Sequence, residues 1–269
     1  MKRISAILAV LLFLRPAVCP AQASGQADYP GTRLEKSVYL CCEERDWYPF
    51  LVSEGREVYG ILVDIVREAF SRVGYKIRVE PFPMNRCLKL AQHARSDGIV
   101  GMPYSREYAR YVEYPPDSAD KDESRWRIMQ IDQVVVTYED RDGQYEFDGN
   151  IRSLPEPVRI STYDPLASDI TQAGLDVEEA ASDRQNFAKL VRDRRGSVIT
   201  TSLIAENILR ENLYKDILHI HAVPVRSRSF FLAFSWDSSL SDFERQRIWQ
   251  EIASVREDYV FMLQLFARY

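Results

Sequence analysis

Apolar and polar positions alternate along this chain in blocks that read as strands and helices in regular succession. Residues 37–44 form an apolar run of strand length. Ile61, Ile65, Val66, Ala69, Phe70 and Val73 then recur at helical spacing, with Gly74 closing the segment. Residues 76–82 alternate as a strand, residues 85–94 read as a helix with Leu88 and Leu90 inward, and residues 99–102 form a short buried strand. The theme repeats in the second half. Strands are expected at 131–138, 158–162, 198–200, 217–225 and 230–236. Helices are expected after Asp164-Pro165, over 183–195, 201–212 and 241–256, and again from Tyr259 to Phe266. Strands alternating with helices predict an α/β protein whose sheet is parallel and covered on both faces. The polar stretch 117–127 and the turn Asp140-Arg-Asp-Gly143 separate the halves and their elements.

The N-terminus adds a compartment. Lys2 and Arg3 precede an apolar run from Ile4 to Leu14, which is shorter than the roughly 20 residues a membrane span needs. Ala21-Gln22-Ala23 fits a small-residue cleavage site, so residues 1–23 read as a cleaved secretory signal peptide and the destination as the periplasm. The chain carries a net charge of −5, and loss of Lys2, Arg3 and Arg15 with the leader makes it more negative. That balance argues against nucleic acid as a partner, because phosphate binding needs basic patches. Cys41, Cys42 and Cys87 remain after cleavage. Neighbours on a strand point to opposite faces. One of Cys41 and Cys42 can therefore face the helix that carries Cys87, as a disulfide or as one of three buried thiols. His219 and His221 share a strand face with no third ligand evident in sequence. No metal or other cofactor is expected.

The chemistry gathers where strands run out into loops, the place where open α/β sheets bind ligands. Trp47-Tyr48-Pro49-Phe50 follows the first strand, and Gly60, with a backbone N–H able to face an anion, opens the first helix. Asn85-Arg86 follows the next strand, and Asp97-Gly98-Ile-Val-Gly-Met102-Pro103-Tyr104-Ser105 leads to Tyr108 and Tyr114. The order of these motifs over nearly the whole chain beyond the leader resembles the polar-amino-acid type of periplasmic solute-binding protein, family 3.

The resemblance implies a two-lobe, type II binding fold, each lobe a mixed, mainly parallel sheet flanked by helices. Lobe one would span residues 28–130 plus 226–269 and lobe two residues 131–225, with hinges near 128–133 and 223–229. It implies a monomer that closes on a small polar solute and delivers it to an ABC transporter permease, and not an enzyme. Expected ligand-binding residues are Trp47, Tyr48, Arg86, Met102, Tyr104, Ser105 and Tyr108 in lobe one, and Ser161, Thr162, Tyr163, Thr201 and Ser202 in lobe two. The usual Arg that clamps an α-carboxylate falls on Tyr108, and the usual Asp for the ammonium falls near Ser202. Those departures point to a ligand other than a plain α-amino acid, or to anchoring by another group such as Arg86. An accessory or sensor protein, and a periplasmic dehydratase, are the other readings the same fold allows. The sequence shows no Gly-rich phosphate loop, His-Glu-x-x-His or Gly-x-Ser-x-Gly that would name a catalytic site.

Overall fold

The computed structural model describes residues 36–119, 124–139, 145–162, 164–214 and 216–269. The leader, the turn at 140–143 and Tyr163 lie outside the described residues. The elements run β1 (Ser37–Glu43), β2 (Val52–Glu54), β3 (Glu57–Tyr59), α1 (Ile61–Arg72), β4 (Lys76–Phe82), α2 (Met84–Gln92), β5 (Gly98–Pro103), β6 (Val112–Glu113) and β7 (Met129–Tyr138). The second half adds β8 (Val158–Ser161), α3 (Leu166–Gln172), β9 (Val177–Ala180), α4 (Asp183–Asp193), β10 (Ser197–Thr201) and α5 (Ser202–Leu209). It continues with β11 (Leu218–Ile220) and β12 (Arg226–Ser235), and the chain closes with α6 (Asp242–Glu257) and α7 (Tyr259–Phe266).

One ladder runs in the order β4-β1-β5-β12-β7-β10-β8-β9, with β11 on β7 and β6 on β12. The pairs β4–β1–β5 are parallel, as are β10–β8–β9. The middle of the ladder is antiparallel: β12 pairs β5 on one side and β7 on the other, and β7 pairs β10. The sheet is therefore mixed, not parallel throughout. Two long strands of 10 residues each, β7 and β12, join the two parallel sets. Their shared register, Arg226 opposite Gln133 through Phe230 opposite Met129, is the only direct backbone ladder between those sets among the described residues.

Burial follows the strand period of two. Leu40 and Cys42 enter the core under α1 and α6, while Cys41 turns to the opposite face beside Cys87 and Leu88 of α2. Likewise Val134 and Val136 pack with Phe187 and Leu190 of α4, and Val135 packs with Leu166 and Ile170 of α3. Both halves of the sheet are thus covered on both faces. Cys41, Cys42 and Cys87, the cysteines among the described residues, are buried and free, and the Cys87 thiol donates to the Cys42 carbonyl at 3.3 Å. Burial pushes the Cys42 thiol up to about 12.

Ser241 starts α6 with a capping box, its side chain accepting from the Glu244 N–H and Glu244 reaching back to the Ser241 N–H. Hydrogen bonds from Tyr75 and from the Ser241 backbone hold the Glu244 carboxyl at about 2, below its ordinary 4.5. The depressed value means that stability from ionised Glu244 is complete above pH 4.5 and is lost as the pH falls toward 2. Glu244→Gln is therefore expected to be less stable than the wild type at neutral pH, the gap closing across that window. Urea melts from pH 7 to pH 2 check it, and a gap that stays constant with pH would assign the effect to packing.

Candidate functional site

A cavity of about 500 Å3 opens against the start of β12. Pro103, Tyr104, Ser105, Glu107 and Tyr108 line one side, Ser118 and Ala119 another, and Ser227, Arg228, Ser229 and Phe231 the strand itself. The side from residues 103–108 is there because β5 ends at Pro103, opposite Phe230, and the chain turns into a 3-10 helix at Tyr108–Arg110. Ser105 fixes that turn: its hydroxyl accepts the Glu107 N–H at 3.2 Å and its carbonyl the Ala109 N–H. Tyr114 braces the loop from behind. Its hydroxyl donates to the Pro103 carbonyl at 2.8 Å, and its ring meets Tyr104 and Phe231 edge-on at 5.2 and 6.0 Å.

Glu107 and Arg228 both bring charge to this cavity, and Arg228 is its cation. It is exposed, and among the described residues its guanidinium makes no hydrogen bond or ion pair. Its neighbours explain the contrast. Arg226 is tied to Asp169, and Ser227 is tied to Asp132 and Gln130. Burial and the adjacent Arg226 push the Arg228 pKa down, while Asp169 and Asp164 pull it back up. The group stays cationic at neutral pH in any case, since arginine titrates above about 12.

Carboxylates and hydroxyls answer it from the other half of the sheet. The parallel strands β8, β9 and β10 end together, at Ser161, Ala180 and Thr201. Asp164 follows β8 and is held by the Leu166 N–H at 2.9 Å and by Gln133 of β7 at 2.6 Å. Asp183 opens α4 beside the hydroxyls of Thr200 and Ser161. Burial raises the pKa of both carboxyls; Leu166, Gln133, Arg226 and Arg228 pull Asp164 back down, while Asp183 is lowered by the Thr200 and Ser161 hydroxyls and raised further by Asp164. The Thr201 hydroxyl is buried with no hydrogen-bond partner among the described residues. Asp164 feels the charges of Arg226 and Arg228 on β12, and Asp183 and the hydroxyls gather with it at the ends of β8 and β10.

Of the residues expected from sequence, Tyr104, Ser105 and Tyr108 come together at the cavity, and Ser161, Thr162, Thr201 and Ser202 lie at the strand ends beyond it. Tyr163 lies outside the described residues. Four other expected residues stand outside the cavity lining. Met102 is wholly buried in the core beneath α2, because it alternates inward on β5. Trp47 is half-buried against Phe50 and Phe230 at 4.7 and 5.1 Å, which makes it packing under the site. Tyr48 is exposed and donates to the Tyr269 carbonyl instead of facing the cavity. Arg86 is exposed and stacked on Phe82 at 4.3 Å, away from the cavity lining. The Gly60 N–H is likewise engaged, donating to the Tyr269 hydroxyl at 2.8 Å, and that hydroxyl donates to Asp64. Sequence reasoning missed Arg228, Asp164 and Asp183. Their signal was weak: an Arg-Ser-Arg-Ser run that does not read as a strand, and two Asp residues that fit helix starts.

Two α/β sets strung on one pair of long antiparallel strands, with a cavity against those strands, define the two-lobe, type II periplasmic-binding-protein fold. No family profile matches the chain, and no curated protein sequence matches it either. Solved structures do. The L-cystine solute receptor of Neisseria gonorrhoeae, in its unliganded open conformation, superposes with a TM-score of 0.61 at 14% identity, covering 87% of this chain and 94% of its own. An ancestral cationic amino-acid solute-binding protein matches with a TM-score of 0.61 at 13% identity, covering 87% and 95%. A structure of an ancestral amino-acid-binding protein described as a precursor of cyclohexadienyl dehydratase matches at 0.54 and 14% identity, covering 87% and 94%. At these identities the likeness is one of fold. No described helix is long and apolar enough to cross a membrane.

Proposed function

We propose that the protein is an exported, periplasmic solute-binding protein that closes two lobes, residues 28–130 plus 226–269 and residues 131–225, on a small zwitterionic ligand. The unpaired Arg228 at the cavity carries this reading. It stands where a ligand carboxylate would be met, in place of the clamp that Tyr108 displaces. A guanidinium binds a carboxylate through two parallel hydrogen bonds. Asp164, Asp183 and the Thr201 hydroxyl take the ligand's ammonium or hydroxyl end, and Tyr104 and Tyr108 cover its body. Delivery to a membrane permease follows from the resemblance to transport-linked binders. Solved neighbours named for amino-acid ligands support the ligand class.

A thermal-shift screen over amino acids, other zwitterions, organic acids and amines tests it. A ligand at 100 times its dissociation constant adds about 2.7 kcal/mol of stability. For a chain of this size that raises Tm by roughly 5–10 °C. Zwitterions are expected to shift the melt, and simple amines and monocarboxylic acids to shift it less. No shift with any zwitterion would sink the reading.

The raised Asp183 carboxyl favours a second reading, an elimination enzyme on the same fold, since a carboxyl with an elevated pKa is a usable general acid. Chemical conversion of a bound ligand, abolished in Asp183→Asn, would establish it.

A further inference from the structure

Away from the cavity, His219 sits on β11 and His221 directly follows the strand's last residue, Ile220, and Glu146 reaches both rings. One carboxylate oxygen lies 3.1 Å from His219 Nε2 and the other 3.1 Å from His221 Nδ1. One candidate ligand atom from each residue lies within 4.8 Å of the others. The strand period brings the two histidines to one face, and the antiparallel register with β7 sets His219 opposite Thr137. The sequence alone offered two imidazoles on a strand. The third group arrives from 73 positions away, on the segment that leads into Phe147.

Two polar partners converge on one nitrogen of His221. The Phe147 N–H donates to Nδ1 at 3.2 Å, and a Glu146 carboxylate oxygen lies 3.1 Å from the same atom. On the other side of the ring Nε2 lies 3.0 Å from the Thr137 hydroxyl. The ring is fully buried, so these contacts fix its position.

We propose that Glu146, His219 and His221 form a binding site for one divalent transition-metal ion of the zinc class. Two imidazole nitrogens and one carboxylate are a common donor set for such an ion, with the fourth position left to water. Bond lengths of about 2.0–2.2 Å place tetrahedral ligand atoms about 3.4 Å apart. Two of the spacings are 3.1 Å and the third lies within 4.8 Å, so small shifts would reach that geometry, and Glu146, 70% exposed, is free to swing. A hydrogen bond from Nε2 to Thr137 is the kind of outer contact that fixes the tautomer of a metal-bound histidine, and the Nδ1 lone pair would then pass from the Phe147 N–H to the ion. The Tyr145 ring, edge-on to His221 at 5.1 Å, shields the inner side. A bound ion would fasten the segment at 145–147 to the exposed edge of the sheet. It neither uses nor needs the solute cavity.

The test is a calorimetric titration of chelator-stripped protein with Zn2+ at neutral pH, alongside melts with and without the ion. The wild type is expected to take up one equivalent with a rise in Tm. Glu146→Gln changes an exposed side chain and His219→Ala a half-buried one, and both should fold normally, yet each should weaken binding at least about tenfold and abolish the Tm rise. No uptake by the wild type would overturn the proposal. So would wild-type affinity in both variants, and wild-type affinity in Glu146→Gln alone would remove Glu146 from the ligand set.

Discussion

Arg228→Ala is expected to abolish ligand recognition while leaving the fold intact. Removing one partner of a desolvated, hydrogen-bonded charge pair costs about 2–5 kcal/mol of binding, most of it from the charge left unpaired. That corresponds to a loss of affinity from about 30-fold to a few thousand-fold. The unliganded protein should hardly register the change, since the guanidinium has no ion pair to lose and Arg226, its nearest like charge, keeps Asp169. Arg228→Lys should recover part of the affinity, because an ammonium keeps the charge but not the two-pronged geometry. Calorimetry with the ligand found by the thermal-shift screen is the measurement. Unchanged affinity in Arg228→Ala would move the carboxylate anchor elsewhere and reopen the case for Arg86.

Arg159→Ala is expected to have the largest effect on stability. Arg159 is the bulkiest fully buried side chain, on β8 at the centre of the second half. Its guanidinium donates to Glu178 at 3.1 Å, to Asp193 at 2.7 Å and to the Arg195 carbonyl at 2.9 Å, tying β9 and the end of α4 to β8. Breaking a buried pair by deleting one partner costs about 3–5 kcal/mol. The lower end applies here, because Glu178 and Asp193 are partly exposed and keep Lys189 and Arg192. For a chain of this length about 3 kcal/mol lowers Tm by roughly 6–12 °C. Arg159→Met, which refills the volume without the charge, should cost less than alanine. Chemical and thermal melts decide it, and a fall in Tm below about 2 °C in the alanine variant would show that the network contributes little.

Most of the fold was legible because it is written in apolar periodicity. The valines at 134–136, the helical stripe from Ile61 to Phe70 and the alternation at Cys41 and Cys42 each led to the observed element and face. The misses share a cause. β2 and β3, in Ser-Glu-Gly-Arg-Glu-Val, and β9, in Val-Glu-Glu-Ala, are polar edge strands whose outward residues carry no core signal. Glu178 carries no core signal, yet it is a partner that lets Arg159 be buried. The site was less legible than the fold for the same reason. β12 was expected to begin at Phe230, but its first four residues, Arg-Ser-Arg-Ser, are strand as well. They are polar because they border a cavity, so the property that makes them useful hid them from a search for apolar runs. The expected site residues were those nearest to apolar strand ends. Three of them, Trp47, Tyr48 and Met102, turned out to serve packing or surface contacts.

The shared register of β7 and β12 has a kinetic meaning. If the two halves swing as doors, the axis runs through residues 129–133 and 226–230, and Arg228 rides on it. A point on the axis barely travels. The guanidinium would present the same geometry to an incoming solute whichever way the halves stand, whereas Asp164 and Asp183 would be carried toward or away from it. Capture would therefore come first and through one residue. The arriving molecule's residence time, rather than its rate of arrival, would record how well its far end suits the half that swings in.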